Sequence, residues 1–331
     1  MPVPSQIERY INDLTGDTAL LGLVHDVLRS GDKLHGLRRT HDDVYDLIAA
    51  AKADKSIPFK LKYKECAAEK SPIRHSTVRE KLGIPESDRA DVLSRDVIKI
   101  KPRKSNPKKR EDLKHSVSFD AAANYKDGNH NWGMHANIED GEGNITHAAI
   151  YMPETGQIYF ANEEGAHVAL FPSFQSRSNE IVIRRIAIGA LSPKFNCEVG
   201  SWHTKERAPV KMLFTMPLRE EVGGSLRETG MKEAPFPWVA LNRMGYSFIG
   251  NMKPTDGRSG AFIAAQGGAN VMRIPLTSDS QGREIVFASH PAVQDDVMRY
   301  FDQALELAGG DVTIGEPVII NRNTDPALAR R

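Results

Sequence analysis

Apolar residues recur at helical spacing near the start of the chain and at alternate positions further on. Ile7, Tyr10, Ile11 and Leu14 fall on one helical face, and Leu20, Leu21, Val24, Val27 and Leu28 repeat the pattern. Thr40 has the chemistry of an N-cap. Asp42 and Asp43 complement the helix dipole behind it, and Val44, Leu47, Ile48 and Ala51 form a further stripe. Phe59 to Lys64 alternates apolar with basic, the pattern of a half-buried strand. Residues 77–93 carry a spacing that faintly resembles a helix-turn-helix, with Arg79 and Arg89 standing where small and apolar residues are usual.

From His115 onward the period changes to two. Strands are expected at 115–119, 131–138, 145–152, 157–162, 181–189, 210–215, 245–250, 260–265, 270–276 and 284–288. Turn signals separate them, among them Asp140-Gly141, Pro153 to Gly156 and Asp256-Gly257. An amphipathic helix is expected over 291–308, with Val293, Val297, Tyr300, Phe301 and Ala304 on one side, followed by a strand near 312–320.

The fold class is therefore α+β. A helical N-terminal region (1–98) leads through a basic linker (99–114) into a larger, mainly antiparallel β domain (115–322). That domain carries one long helix near its end, and a polar tail (323–331) follows.

Composition narrows the function only by exclusion. Hydrophobic residues make up 40% and charged residues 26%, ordinary for a globular chain. The net charge of +1 gives no overall pull toward nucleic acid or membrane, so any such pull must be local. No apolar run is long enough to span a bilayer, and no cleavable signal peptide is evident, so a cytoplasmic location without a membrane partner is expected. Cys66 and Cys197 are too few for a disulfide framework or a cysteine-rich zinc site.

Candidate chemistry gathers in residues 127–162. His130, His135 and His147 lie there, with Asp127 and Glu139 close by in sequence. If Ile138 pairs with Asn144 across a five-residue loop, His135 and His147 face each other at roughly 5 Å between Cβ atoms. His135, His147, His130 and Asp127 are then the catalytic candidates, as an acid–base set acting on a phosphate. His135, His147 and Glu139 are the candidate ligands of a divalent metal. The competing reading makes them a half-exposed polar sheet face.

The linker holds eight Lys or Arg residues against Glu111 and Asp112. Lys101, Arg103, Lys104, Lys108, Lys109 and Arg110 are the candidate contacts to a nucleic-acid backbone. The working expectation is a nucleic-acid-binding protein acting on phosphodiesters through the histidine face. Two alternatives stand beside it: a non-enzymatic module that docks a protein partner through its N-terminal helices, and a small-molecule hydrolase using Cys197 or His203.

Overall fold

The two N-terminal apolar stripes become a helical pair, α1 (Pro4–Leu14) and α2 (Thr18–His35). Gly16, at φ +59°, turns the chain between them, because the left-handed conformation is open to glycine at no steric cost. Asp17 starts α2: its Oδ1 accepts from the N–H groups of Ala19 and Leu20 at 2.9 and 3.0 Å. The computed structural model describes residues 4–35, 59–64, 97–102, 114–120, 124, 130–172, 180–192, 196–200, 225–227, 231–252, 257–277, 282–308 and 313–320.

Strands β1 (Phe59–Lys64) and β2 (Val97–Pro102) form an antiparallel pair. A six-stranded sheet follows, in the order of the chain: β3 (Lys114–Asp120), β4 (Gly133–Glu139), β5 (Ile145–Met152), β6 (Gln157–Asn162), β7 (Gly165–Leu170) and β8 (Val182–Ile186), antiparallel throughout. One face of this sheet receives α1 and α2. Ile7, Ile11, Leu20, Leu23, Val24, Val27 and Leu28 bury against Trp132, Met134, Ala136, Ile138, Ala149, Tyr151 and Phe160. Each such side chain contributes about 2 kcal/mol. The N-terminal stripes are thus buried within the chain.

The opposite face carries α3 (Pro235–Ala240) and α4 (Arg258–Gln266). Ala148, Ile150, Tyr159 and Ala161 of the first sheet meet Phe236, Val239, Ile263 and Ala264 of these helices. Ile249, Val271, Val286 and Ala288 of a second sheet close the same cluster. The second sheet has the order β10-β9-β11-β13-β12-β14, built from β9 (Asn196–Gly200), β10 (Ser225–Arg227), β11 (Met244–Met252), β12 (Asn270–Pro275), β13 (Glu284–Ser289) and β14 (Val318–Ile320). Its pairings of β9 with β10 and β11 are parallel and the rest antiparallel. On its far face Val297, Tyr300, Phe301 and Ala304 of α5 (Gln294–Ala308) pack on Phe248, Ile274, Ile285 and Phe287. The layers therefore run helices, sheet, helices, sheet, helix, within the α+β class.

Three sequence expectations need correction. Residues 260–265 are helical, inside α4, and not a strand. This helix lies between two sheets and buries Ser259 to Ala265 all round, so its apolar run has no helical period to display. The strand β2 runs into the segment read as a linker, placing Lys101 opposite Lys60 in a ladder, and β3 begins at Lys114.

The β4–β5 register also differs. Ile138 pairs with His147 and His135 with Ile150, not His135 with His147. Asp140 and Asn144 close a tighter turn, and a bulge beyond Glu139 adds one residue. The shift is three residues, an odd number, so it sends the two histidines to opposite faces. Both faces of β5 are apolar, with Ala149 and Tyr151 on one and Ala148, Ile150 and Met152 on the other, so hydrophobic alternation could not choose between registers.

Candidate functional site

The first turn of α4 meets β4 and the segment before α3. Glu233, two residues before α3, is 1% exposed. Its Oε1 accepts from the N–H of Gly257 at 2.5 Å and its Oε2 from the N–H of Gly260 at 2.7 Å. A carboxylate at a helix N-terminus satisfies orphan donors and sits at the positive end of the helix dipole. The same Oε1 lies 3.3 Å from Nδ1 of His135.

Next to it, Arg258 donates to Glu139 Oε1 at 2.5 Å and to the Gly143 carbonyl at 2.6 Å. The Ser259 hydroxyl donates to the Ala136 carbonyl at 3.2 Å. His135, Glu139, Glu233, Arg258 and Ser259 therefore form one polar cluster where α4 begins. Gly260 is required there: a Cβ on it would lie 2.1 Å from the Glu233 carbonyl oxygen.

His147 belongs to another cluster, on the α1–α2 side. Its Nε2 lies 2.5 Å from Asp17 Oδ2, and Asn162 Nδ2 donates to the same oxygen at 3.3 Å. An ionised carboxylate only accepts, so Nε2 carries a proton toward it; Nδ1 lies 2.8 Å from the Thr146 oxygen, which donates its own hydrogen to the Ile138 carbonyl at 3.3 Å. Acid, imidazole and hydroxyl stand in the order of a nucleophile relay. Asp17, however, already caps α2, so this cluster bolts the helical pair to β5 and β6.

Burial pushes the Asp17 carboxyl up, but the Leu20 N–H, the His147 contact and Asn162 outweigh it and hold the carboxyl below the ordinary carboxylate range. A carboxyl lowered by folding adds stability that is complete above its unfolded value and is lost as pH falls through the folded one. Below about pH 4 the wild type should lose more stability than Asp17→Asn in acid titrations followed by circular dichroism. Parallel curves would contradict this role. Asp17→Ala should lose the cap, at about 1 kcal/mol.

The remaining candidates separate. His130 is 75% exposed at its side chain, 3.4 Å from Glu154, whose other oxygen accepts from Trp132 Nε1. His167 stacks on Phe160 at 5.5 Å with Tyr10 edge-on; burial, then the Arg185 charge, pushes its imidazole down and keeps it neutral. Cys197 lies in β9. Asp127, Arg103, Lys104, Lys108, Lys109, Arg110, Cys66 and His203 lie outside the described residues, as does the segment 77–93.

The metal set of His135, His147 and Glu139 does not converge, because His147 is on the other sheet face. Among the described residues no three His, Cys, Asp or Glu side chains stand together as a cation would need. The acids nearest α4 are committed, Glu233 to backbone N–H groups and Glu139 to Arg258. These described residues do not by themselves make up a metal site.

No protein-family model matches the chain, and no curated protein matches it in sequence. The likeness is structural. The chain folds like SuhB of Bartonella henselae. That extragenic suppressor protein superposes with a TM-score of 0.52 at 16% identity, over 87% of this chain and all (100%) of its own. A second crystal structure of it gives 0.50 at 14% identity, over 86% and 99%. The inositol monophosphatase of Anabaena gives 0.45 at 16% identity, over 60% and 77%.

The nucleic-acid reading is overturned by this likeness: the chain shares its architecture with SuhB, over 87% of its own length, and none of the solved structures it resembles is named for nucleic acid. The basic segment alone had suggested that reading, and one of its candidates, Lys101, is a strand residue. Among the described residues no helix is long and apolar enough to cross a membrane.

Sequence reasoning missed Glu233, Arg258 and Ser259. A usable signal existed at Glu233, a single acid between Met231 and the apolar run from Ala234. Such an acid must find donors once that run is buried.

Proposed function

We propose that this chain is a hydrolase of small phosphoesters that works with a divalent cation. One observation carries the reading: the likeness to SuhB runs through the whole of that chain. Solved chains of this architecture fall in the SuhB and inositol monophosphatase group of metal-dependent phosphatases. A bound cation would neutralise charge on the ester oxygens. The described acids are already committed, so no step is routed through it.

The described cluster contributes order at the start of α4. Glu233 fixes Gly257 and Gly260, and Arg258 and Ser259 tie the same turn to β4. Rigid placement of this kind is what a site needs to hold an ester in a reactive pose.

A second reading is a fold kept for binding phosphoesters without turning them over. It is favoured by the lack of a three-ligand cluster among the described residues. A panel of small phosphomonoesters and a short oligonucleotide, assayed for hydrolysis with magnesium, separates the two. Hydrolysis of a small ester supports the first. Calorimetric binding of inorganic phosphate with no ester hydrolysed supports the second. Cleavage of the oligonucleotide alone contradicts both.

A further inference from the structure

The crossover from the first sheet to the second leaves β8 at Ile186 and enters β9 at Asn196. Three hydrogen bonds hold its first residues. The Ile188 N–H donates to the Gly267 carbonyl at 2.8 Å, at the C-terminal end of α4. The Gly189 N–H donates to Asn242 Oδ1 at 2.9 Å, just past α3. Asn242 is left-handed, at φ +59°, a conformation that asparagine adopts more readily than most side chains. The Gly189 carbonyl lies 2.8 Å from Nε2 of His290, the residue after β13. Two consecutive residues of the crossover are thus tied to three separate elements.

His290 is 4% exposed, and its own N–H donates to the Gly245 carbonyl at 2.7 Å. Its Nδ1 accepts from the Ala292 N–H at 3.0 Å, which caps the 3₁₀ turn Pro291–Val293 leading into α5. A nitrogen that accepts is bare, so the ring is neutral and carries its one proton on Nε2, where the Gly189 carbonyl receives it. Both partners are backbone groups and cannot change roles: an N–H only donates and a carbonyl only accepts. The imidazole therefore serves both of them only while it is neutral. A proton on Nδ1 would set N–H against N–H, and the cap and the tie to the crossover could not both survive.

We propose that His290 is an acid-sensitive latch: its neutral ring fastens the crossover to the start of α5, and a proton taken from solvent at Nδ1 releases it. The titratable groups on the surrounding elements are Arg243 after α3, Tyr246 of β11, and Asp295 and Asp296 in the first turn of α5. The stretch 187–191 carries none. Neither ring nitrogen is engaged by a charge, since backbone groups hold both. The latched ring has no place for a second proton, whereas the released ring can take one up. Latching is therefore complete at neutral and higher pH and is lost as pH falls. The latch is independent of the hydrolase reading.

Two measurements on the full chain test it. The first is amide hydrogen exchange between about pH 7.5 and about pH 5.5, the range in which histidine changes charge, corrected for the intrinsic pH dependence of exchange. Opening that takes up one proton grows by up to about tenfold per pH unit. Protection at Ile188, Gly189 and Ala292 should fall on that scale, while protection in β5 and β6 holds. Constant protection at the three amides, or an equal loss throughout the chain, overturns the latch.

The second is thermal unfolding of His290→Asn over the same pH range. The asparagine oxygen can still cap the Ala292 N–H but gains no proton. Its Tm should lie below that of the wild type at the upper pH and should change less as pH falls. Parallel curves overturn the latch. Should the variant not fold, the exchange measurement on the wild type decides alone.

Discussion

Gly260→Ala should be among the most damaging single substitutions in the chain. The new methyl would stand 2.1 Å from the Glu233 carbonyl oxygen, 2.9 Å from its carbon and 3.0 Å from the Phe236 ring. The first two are backbone atoms, which no rotamer change can move. The Glu233 backbone, two residues before α3, and the first turn of α4 would have to separate, opening a seam in the middle layer. Overpacking of this kind costs about 3 kcal/mol, a fall in Tm of roughly 5 °C for a chain of this length. Thermal unfolding of the variant measures it. A control at Gly143, where nothing lies within 4 Å, distinguishes crowding from loss of glycine freedom, although its φ of +86° carries a strain of its own. Equal losses at both positions would mean that crowding at Gly260 is not the cause.

Glu233→Ala should be comparably costly for a different reason. It leaves the Gly257 and Gly260 N–H groups buried without their acceptor. Each unsatisfied donor costs about 1–3 kcal/mol, so a loss of about 3 kcal/mol is expected. Glu233→Gln keeps one acceptor oxygen but turns a donor toward the other N–H, and should cost about half as much. Denaturant unfolding of the pair tests this ordering. If Ala and Gln are equally mild, Glu233 does not hold the start of α4.

Much of the fold is legible in the residues. The stripes at Ile7–Ile11 and Leu20–Leu28 read directly as amphipathic helices because only one side of each is buried. The strands at 145–152 and 157–162 match their observed bounds, and Met152 pairs with Gln157 as the Pro153 to Gly156 turn requires.

Legibility fails where an element is buried on every side. α4 has no polar face to reveal its period, and the two apolar faces of β5 leave register to a bulge and to the Asp140–Asn144 turn. The site shares that cause. His135 was found as a residue, but its true partner is nearly a hundred positions away and joins it only through the α4 turn. His147 looked like its neighbour because local alternation is all that a hairpin shows in sequence.

The most direct test of the hydrolase reading is phosphorus NMR of one small phosphomonoester, such as glycerol phosphate, incubated with the purified full chain. The ester resonance should give way to inorganic phosphate when magnesium is present, and conversion should stop on addition of excess EDTA. An ester signal that persists in magnesium, with no other small monoester converted and with circular dichroism showing the chain folded, would contradict it.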